Sequence, residues 1–177
     1  MLTAHSSSPP VVAGWREWVR LPELGVRHIK AKLDTGARSS ALHAFDLEEL
    51  ERDGVPWVRF AIHPWQRSTA DAVSCELPVH DRRRVRSSSG HAEERYVVLG
   101  DIRLLDRTVT AELTLARRDE MGFRLLIGRE ALRQGFLVDS GHSYLGGRPP
   151  RRVRRLNRTP EGPDSSETSD AGATDGA

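Results

Sequence analysis

Cysteine is all but missing from this chain of 177 residues: Cys75 stands alone. A single thiol cannot close an internal disulfide or build a cysteine-based metal cage, and it suits a reducing compartment. Lysine is almost as scarce. Lys30 and Lys32 are the only two, so arginine carries nearly all the positive charge, a compositional bias before it is a functional one. No apolar run approaches the roughly 20 residues that a membrane helix requires. Met1 to Pro10 has neither the basic n-region nor the apolar h-region of a secretory signal. The expectation is a soluble, cytoplasmic protein with no membrane partner.

Several catalytic signatures are also missing. There is no His-Glu-x-x-His; His91-Ala92-Glu93-Glu94-Arg95 fails it. The seven histidines (His5, His28, His43, His63, His80, His91, His142) are scattered. There is no glycine-rich phosphate loop and no Gly-x-Ser-x-Gly elbow. Cys75 lies in an alternating segment and reads as a packed thiol, not a nucleophile. No metal and no cofactor are expected.

Hydrophobic residues make up 37% of the chain, which is low, but the deficit sits at the two ends. Residues 1–12 hold a Ser-Ser-Ser-Pro-Pro stretch and read as a disordered N-terminus. From residue 148 the chain turns polar again. Arg148, Arg151, Arg152, Arg154, Arg155 and Arg158 form a basic run, followed by Glu161, Asp164, Glu167, Asp170 and Asp175. Such a tail cannot bury enough surface to offset its chain entropy, so residues 148–177 are expected to be disordered, first Arg-rich and then acidic. The folded unit is expected over 13–147, long enough for one domain with a real core. The net charge of +2 argues against a strongly electrostatic partner for the whole chain. The arginine run reads as a solvated linker, and nucleic acid is not expected as a partner.

Within the folded unit the dominant period is two. His28 to Leu33, Trp57 to Ile62, Tyr96 to Leu99, Ile102 to Leu104, Val109 to Leu115 and Phe123 to Ile127 read as strands. Gly100-Asp101 and Asp106-Arg107 read as turns between them. Two stretches look helical: Ala44 to Glu51, rich in Leu and Glu and stopped by Asp53-Gly54, and Arg129 to Gln134, ending at Gly135. Many short strands with one or two short helices predict a mainly all-β barrel or sandwich.

Asp34-Thr35-Gly36-Ala37 closes the first of these strands, and Leu125-Leu126-Ile127-Gly128-Arg129 follows some ninety residues later. Leu33 and Ile29 share a face and can anchor the strand that presents Asp34. Thr35 offers a hydroxyl that could lock the loop. Gly36 lets the backbone approach a ligand or take a positive φ, and Ala37 is too small to block a cleft. An acid on a tight turn can act as a general base if a second carboxyl shares its proton, one ionised and one neutral.

This order of pieces resembles the retropepsin-like aspartic peptidases, whose single-domain chain runs from Asp-Thr-Gly-Ala through a flap hairpin to apolar-apolar-Gly-Arg and a short helix. It is similar in particular to a bacterial family named for ATP-dependent zinc proteases and described as retropepsin-like endopeptidases. The phrases that carry the resemblance are Gly14-Trp15-Arg16-Glu17-Trp18, the run from Lys30 to Ala44, and Met121 to Glu130, all within about residues 13–146. It implies a retropepsin-like closed β-barrel and an aspartic-type endopeptidase. Asp34 would be catalytic, and Thr35, Gly36, Ala37, Ile127, Gly128 and Arg129 would support its loop. It implies a flap between Val85 and Tyr96, with Ser89 and Gly90 at its tip near the substrate. One chain supplies one such acid, so the resemblance also implies a homodimer acting on a peptide or protein substrate. Asp139-Ser140-Gly141 is a second acid on a turn, but no flap or supporting strand follows it, so it reads as structural. The zinc and ATP of the family name find no motif here.

One position departs from the pattern. Retroviral enzymes usually carry an acid four residues after the catalytic one; here it is Arg38. An arginine beside the cleft favours carboxylate ligands, which makes Arg38 a candidate substrate contact, with His43 as another. The resembling family is associated with ATP-grasp ligases that add glutamates to proteins. Acidic or glutamate-modified proteins are therefore the expected substrates and such a ligase a possible partner. The alternative is a non-catalytic adaptor for that ligase.

Overall fold

The computed structural model describes residues 8–86, 90–117 and 122–158. In chain order its elements are β1 (Val11–Gly14), β2 (Arg16–Leu21), a 3-10 turn (Pro22–Leu24), β3 (Val26–Asp34), β4 (Ser40–His43), β5 (Phe45–Arg52), β6 (Val55–Ile62), β7 (Val73–Pro78), β8 (Asp81–Arg86), β9 (Ala92–Leu104), β10 (Arg107–Ala116), β11 (Leu125–Gly128), a single helical turn α1 (Arg129–Leu132), β12 (Phe136–Asp139) and α2 (Arg151–Leu156).

The alternation read from the sequence decides which side of each strand faces the core. β3 buries Val26, Ile29, Ala31 and Leu33 and leaves His28, Lys30, Lys32 and Asp34 on its outer face. β2 buries Glu17, Val19 and Leu21 and keeps Arg16, Trp18 and Arg20 outside. Six strands close into a barrel in the order β10-β4-β11-β3-β2-β9, with β9 pairing back onto β10. Closure removes the unpaired edges that an open sheet would expose. Leu42, Leu113, Leu115, Val98, Ile102 and Ile127 fill the inside, each at most 1% exposed. A second sheet, β5-β6-β7, adds Val58, Phe60, Ile62 and Cys75 to the same core. Cys75 is indeed packed: its Sγ lies 3.5 Å from the carbonyl oxygen of Leu24, and burial pushes the thiol up to about 11. β1 and β12 run parallel as a separate two-stranded sheet.

Three readings of the sequence are corrected. Residues 44–51 are not a helix but strand β5, and Asp53-Gly54 is the turn of a hairpin. Both turn residues have positive φ, 51° and 76°, which is why Asp-Gly occurs there. Gly100-Asp101 is no turn, because β9 runs straight through it. Gly100 is needed for space: a Cβ there would meet Leu113 Cδ1 at 2.8 Å. The stretch after 148 is not wholly structureless. α2 forms over Arg151–Leu156, and the Asn157 that follows is buried. The Asn157 side chain accepts from the Gln66 N–H at 3.1 Å and donates to Gln66 Oε1 at 2.9 Å, which fastens the helix to the body of the domain.

Candidate active site

β3 and β11 lie side by side, parallel, with Leu33 opposite Ile127 and Asp34 opposite Gly128. Both strands end at this point, and the chain turns away from each. The Asp34 carboxylate is held by its own loop: Oδ1 accepts the N–H of Gly36 at 3.1 Å and of Ala37 at 3.2 Å. The same loop offers its carbonyls to the start of α1. Arg129 N–H donates to Ala37 O at 2.8 Å and Glu130 N–H to Arg38 O at 3.0 Å. The first N–H groups of a helix have no partner within it, so this contact satisfies both sides. The Arg129 guanidinium reaches the Thr35 carbonyl at 3.5 Å.

Gly128 cannot be anything larger. An ideal Cβ would sit 2.4 Å from the Ser39 carbonyl oxygen and 2.9 Å from that of Arg38, both backbone atoms that cannot swing away. Its N–H donates to Ser40 Oγ at 3.0 Å. Gly128→Ala should therefore push the Asp34 loop off β11. We expect a loss of about 1–3 kcal/mol from overpacking, read as a lower denaturation midpoint with an unchanged slope. An unchanged midpoint would mean that the loop does not rest on Gly128.

Other expectations fare differently. The Thr35 hydroxyl makes no hydrogen bond among the described residues; the Asp34 carboxylate and Arg129 hold the loop in its place. Gly36 does not take a positive φ, and its absent Cβ matters by proximity, 3.3 Å from Asp34 Oδ1. Arg38 pairs with Glu130 at 2.8 Å, an exposed contact on the same α1 turn. Glu130 is held below the usual carboxylate range by that hydrogen bond. His43, expected as a candidate substrate contact, is 1% exposed and packs near His63, with ring centroids 6.2 Å apart. A hairpin, β8 paired with β9 through Arg86 and Ala92, lies where the flap is expected. Gly90 lies at its tip with φ +83°, whereas Ser89 falls outside the described residues. Among the described residues, no three His, Cys, Asp or Glu side chains lie close enough to hold a metal ion.

Asp139 ends β12 opposite Gly14, in the other sheet. Its Oδ1 accepts the Gly141 N–H at 2.8 Å, and its Oδ2 lies 2.7 Å from His142 Nδ1. The Gly141 hydrogen bond first, and His142 second, hold its carboxyl below the usual range. Both oxygens are thus committed to its own turn.

Sequence reasoning assigned no role to Glu17, which is fully buried. Its Oε1 accepts the N–H groups of Gly14 at 2.7 Å and Leu145 at 2.8 Å, and its Oε2 accepts that of Gly146 at 3.2 Å. One carboxylate thereby ties the start of the barrel to the segment after β12. Trp15 continues the tie, with its N–H donating to His142 O at 3.0 Å and its carbonyl accepting from Leu33 N–H at 2.9 Å, beside Asp34. The available signal was an acid at an inward position, in register with Val19 and Leu21.

A closed barrel that seats an Asp-Thr-Gly turn on an apolar-apolar-Gly strand defines a retropepsin-like domain. The sequence matches the family described as "Retropepsin-like aspartic endopeptidase RimB" over residues 12–149, and the chain belongs to this RimB-like family. It is 45% identical over 136 residues to a "Probable alpha-L-glutamate ligase" of Shewanella pealeana, and 42% identical over 137 residues to one of Parasynechococcus marenigrum. Each match takes in 77% of this chain but only 30% and 29% of those proteins, so the chain spans under a third of their length. The crystal structure of a Legionella pneumophila protein of unknown function matches with a TM-score of 0.66 at 28% identity, over 77% of this chain and 98% of that one.

Proposed function

We propose that this chain is an aspartic-type endopeptidase that works as a homodimer, each protomer giving Asp34 to a shared pair of carboxyls. The ionised member takes a proton from water as the water oxygen attacks the scissile carbonyl carbon. The neutral member gives its proton to the carbonyl oxygen. The member that took the water proton then passes it to the leaving amine as the C–N bond breaks, and the other regains a proton from the diol hydroxyl as the new carboxyl forms. The β8–β9 hairpin closes over the cleft and excludes bulk water. The observation that carries this reading is the Asp34 loop, whose carboxylate is clamped by two N–H groups and underlain by a glycine with no room for a side chain. Acidic or glutamate-modified proteins are the proposed substrates, a choice supported by the glutamate-ligase names of the relatives. The proposed setting is the cytoplasm, in line with the lack, among the described residues, of any helix long and apolar enough to cross a membrane.

The two-stranded β1–β12 sheet supports the dimer. Val12 lies opposite Leu137, and the two are 46% and 56% exposed. Paired apolar side chains on a short free-edged sheet are a natural surface for a second copy. Leu137→Arg is expected to convert the dimer to a monomer in sedimentation and to abolish cleavage without changing the circular dichroism spectrum. A variant that stays dimeric and active would move the interface elsewhere.

The names of the relatives also favour a second reading, in which the barrel serves a glutamate ligase as a non-catalytic adaptor. Incubating the full chain with glutamate-rich and neutral peptides separates the two. Cleavage that depends on Asp34 supports the peptidase. Ligase binding with no cleavage of any peptide supports the adaptor.

A further inference from the structure

The outer face of β3 leads to Asp34 through Lys30 and Lys32, the only two lysines of the chain. Neighbouring β2 adds Arg16 opposite Lys32, and Trp18 opposite Lys30. α2 and the segment before it complete the face: Trp18, Lys30, Tyr144, Arg148, Arg154 and Arg158 line one small cleft. Beside it, Arg20, His28, Arg103 and Arg148 line a larger cavity of about 390 Å³. Strand pairing alone does not bring Arg148, Arg154 and Arg158 to β3, and in the sequence they read as a solvated linker. The fold turns them into one wall of a cationic face.

Among the described residues this face lacks counter-charges. Elsewhere on the surface arginines are paired, as Arg59 is with Glu48 and Glu76, and Arg83 with Asp81 and Glu112. Lys30, Lys32, Arg20, Arg148, Arg154 and Arg158 make no ion pair among the described residues. The cations crowd one another instead: Lys30 Nζ and the Arg148 guanidinium converge on the Tyr144 ring, at 5.7 and 4.6 Å. Burial first, then Arg16, Arg158, Arg148 and Arg67, push the Lys30 ammonium below its ordinary range. Arg154 Nε is buried with no hydrogen-bond partner, and an unmet buried donor is costly. Like charges held together, with one buried donor unmet, suit an anionic ligand.

We propose that this face is a binding track for an extended, carboxylate-rich peptide, which lies over the outer side of β2 and β3 and runs toward Asp34. The spacing suits such a ligand. Alternate residues of an extended chain lie about 6.6 Å apart, twice the strand rise. That is also the spacing of Lys30 and Lys32 along β3, so two alternate carboxylates of the ligand each meet a cation before the chain reaches Asp34. Arginine supplies planar forks for carboxylates along the wall. A peptide is favoured over a nucleic acid because the rings of this face already carry cations: Lys30 lies over Trp18 at 5.4 Å, and Arg16 over Trp15 at 4.6 Å. The direction of travel rests on the peptidase reading; the binding itself does not.

The test uses the full chain carrying Asp34→Asn, so that nothing is cut, with fluorescein-labelled octaglutamate as the probe in anisotropy titrations. We expect salt-sensitive binding that weakens at least tenfold in Lys30→Gln/Arg148→Gln/Arg154→Gln and is restored by Lys30→Arg/Arg148→Lys/Arg154→Lys. Unchanged affinity in the Gln variant overturns the track. So does equal binding of a neutral Gly-Ser octamer, or tighter binding of octauridylate at the same residues. Cleavage assays with Asp34 intact keep the two proposals apart. If glutamate-rich peptides are cut at the same kcat/KM by the Gln variant, the track fails and the peptidase stands. If no peptide is cut but octaglutamate still binds through these residues, the peptidase fails and the track stands.

Discussion

Asp34→Asn should leave the fold intact and lower peptide cleavage by about 10³-fold or more, the scale of a lost general acid–base pair. The amide oxygen of asparagine can still accept the N–H groups of Gly36 and Ala37, which the carboxylate holds at 3.1 and 3.2 Å, so the loop keeps its shape. What disappears is the ability to exchange a proton with water. The unfolding midpoint and the dimer population should match those of the parent. The parent itself should show a bell-shaped pH–rate profile, because the pair works only while it carries a single proton, and both limbs belong to the pair and not to one residue. If Asp34→Asn cleaves at the parental rate, another residue is the base. If it unfolds, the loop depends on the negative charge and not on hydrogen-bond geometry.

The largest stability effect is expected at Glu17→Ala. Removing this side chain strands three N–H groups, the buried one of Gly14 and the part-buried ones of Leu145 and Gly146. The buried donor alone costs about 1–3 kcal/mol and the two part-buried ones add less, so the loss should be about 2–4 kcal/mol, or a fall in Tm of roughly 10 °C for a domain of this size. Glu17→Gln should lose less, because its amide oxygen can still accept from Gly14 and Leu145. The consequence reaches the site through Trp15, which hydrogen-bonds both the 142 segment and Leu33. Peptidase activity should therefore fall at temperatures where Glu17→Ala is still folded. A calorimetric Tm within a degree of the parent would show that Glu17 is not the tie described here.

The mainly all-β class and the closed barrel were legible in the sequence, while not every element was. Asp34 and Gly128 are far apart in the chain, yet each ends a strand in a recognisable phrase, and the parallel pairing of β3 with β11 sets them opposite one another. The misread helix at 44–51 has a local cause. Leu47 and Leu50 are three apart, as on a helix, because a register shift between Phe45 and Glu48 interrupts the alternation of β5, with Asp46 at φ +51°. A bulge of this kind erases the period of two, and Leu and Glu are good helix formers, so pattern and propensity both pointed the wrong way. Pairing with β6 overrides them. Gly100 misled for a similar reason: glycine marks turns, but here it makes room for Leu113. Glu17 and the cationic wall of α2 depend on tertiary neighbours that no local window contains.

Mixing subunits tests the central claim most directly. Parent chain and Asp34→Asn chain are allowed to exchange at equal concentration, and peptide cleavage is read against the mixing ratio. If each site needs one Asp34 from either protomer, only pairs of parent subunits work, and activity in the equal mixture falls to about one quarter. A fall to one half, linear in the fraction of parent chain, would mean that a single chain carries the whole site and would contradict the shared pair.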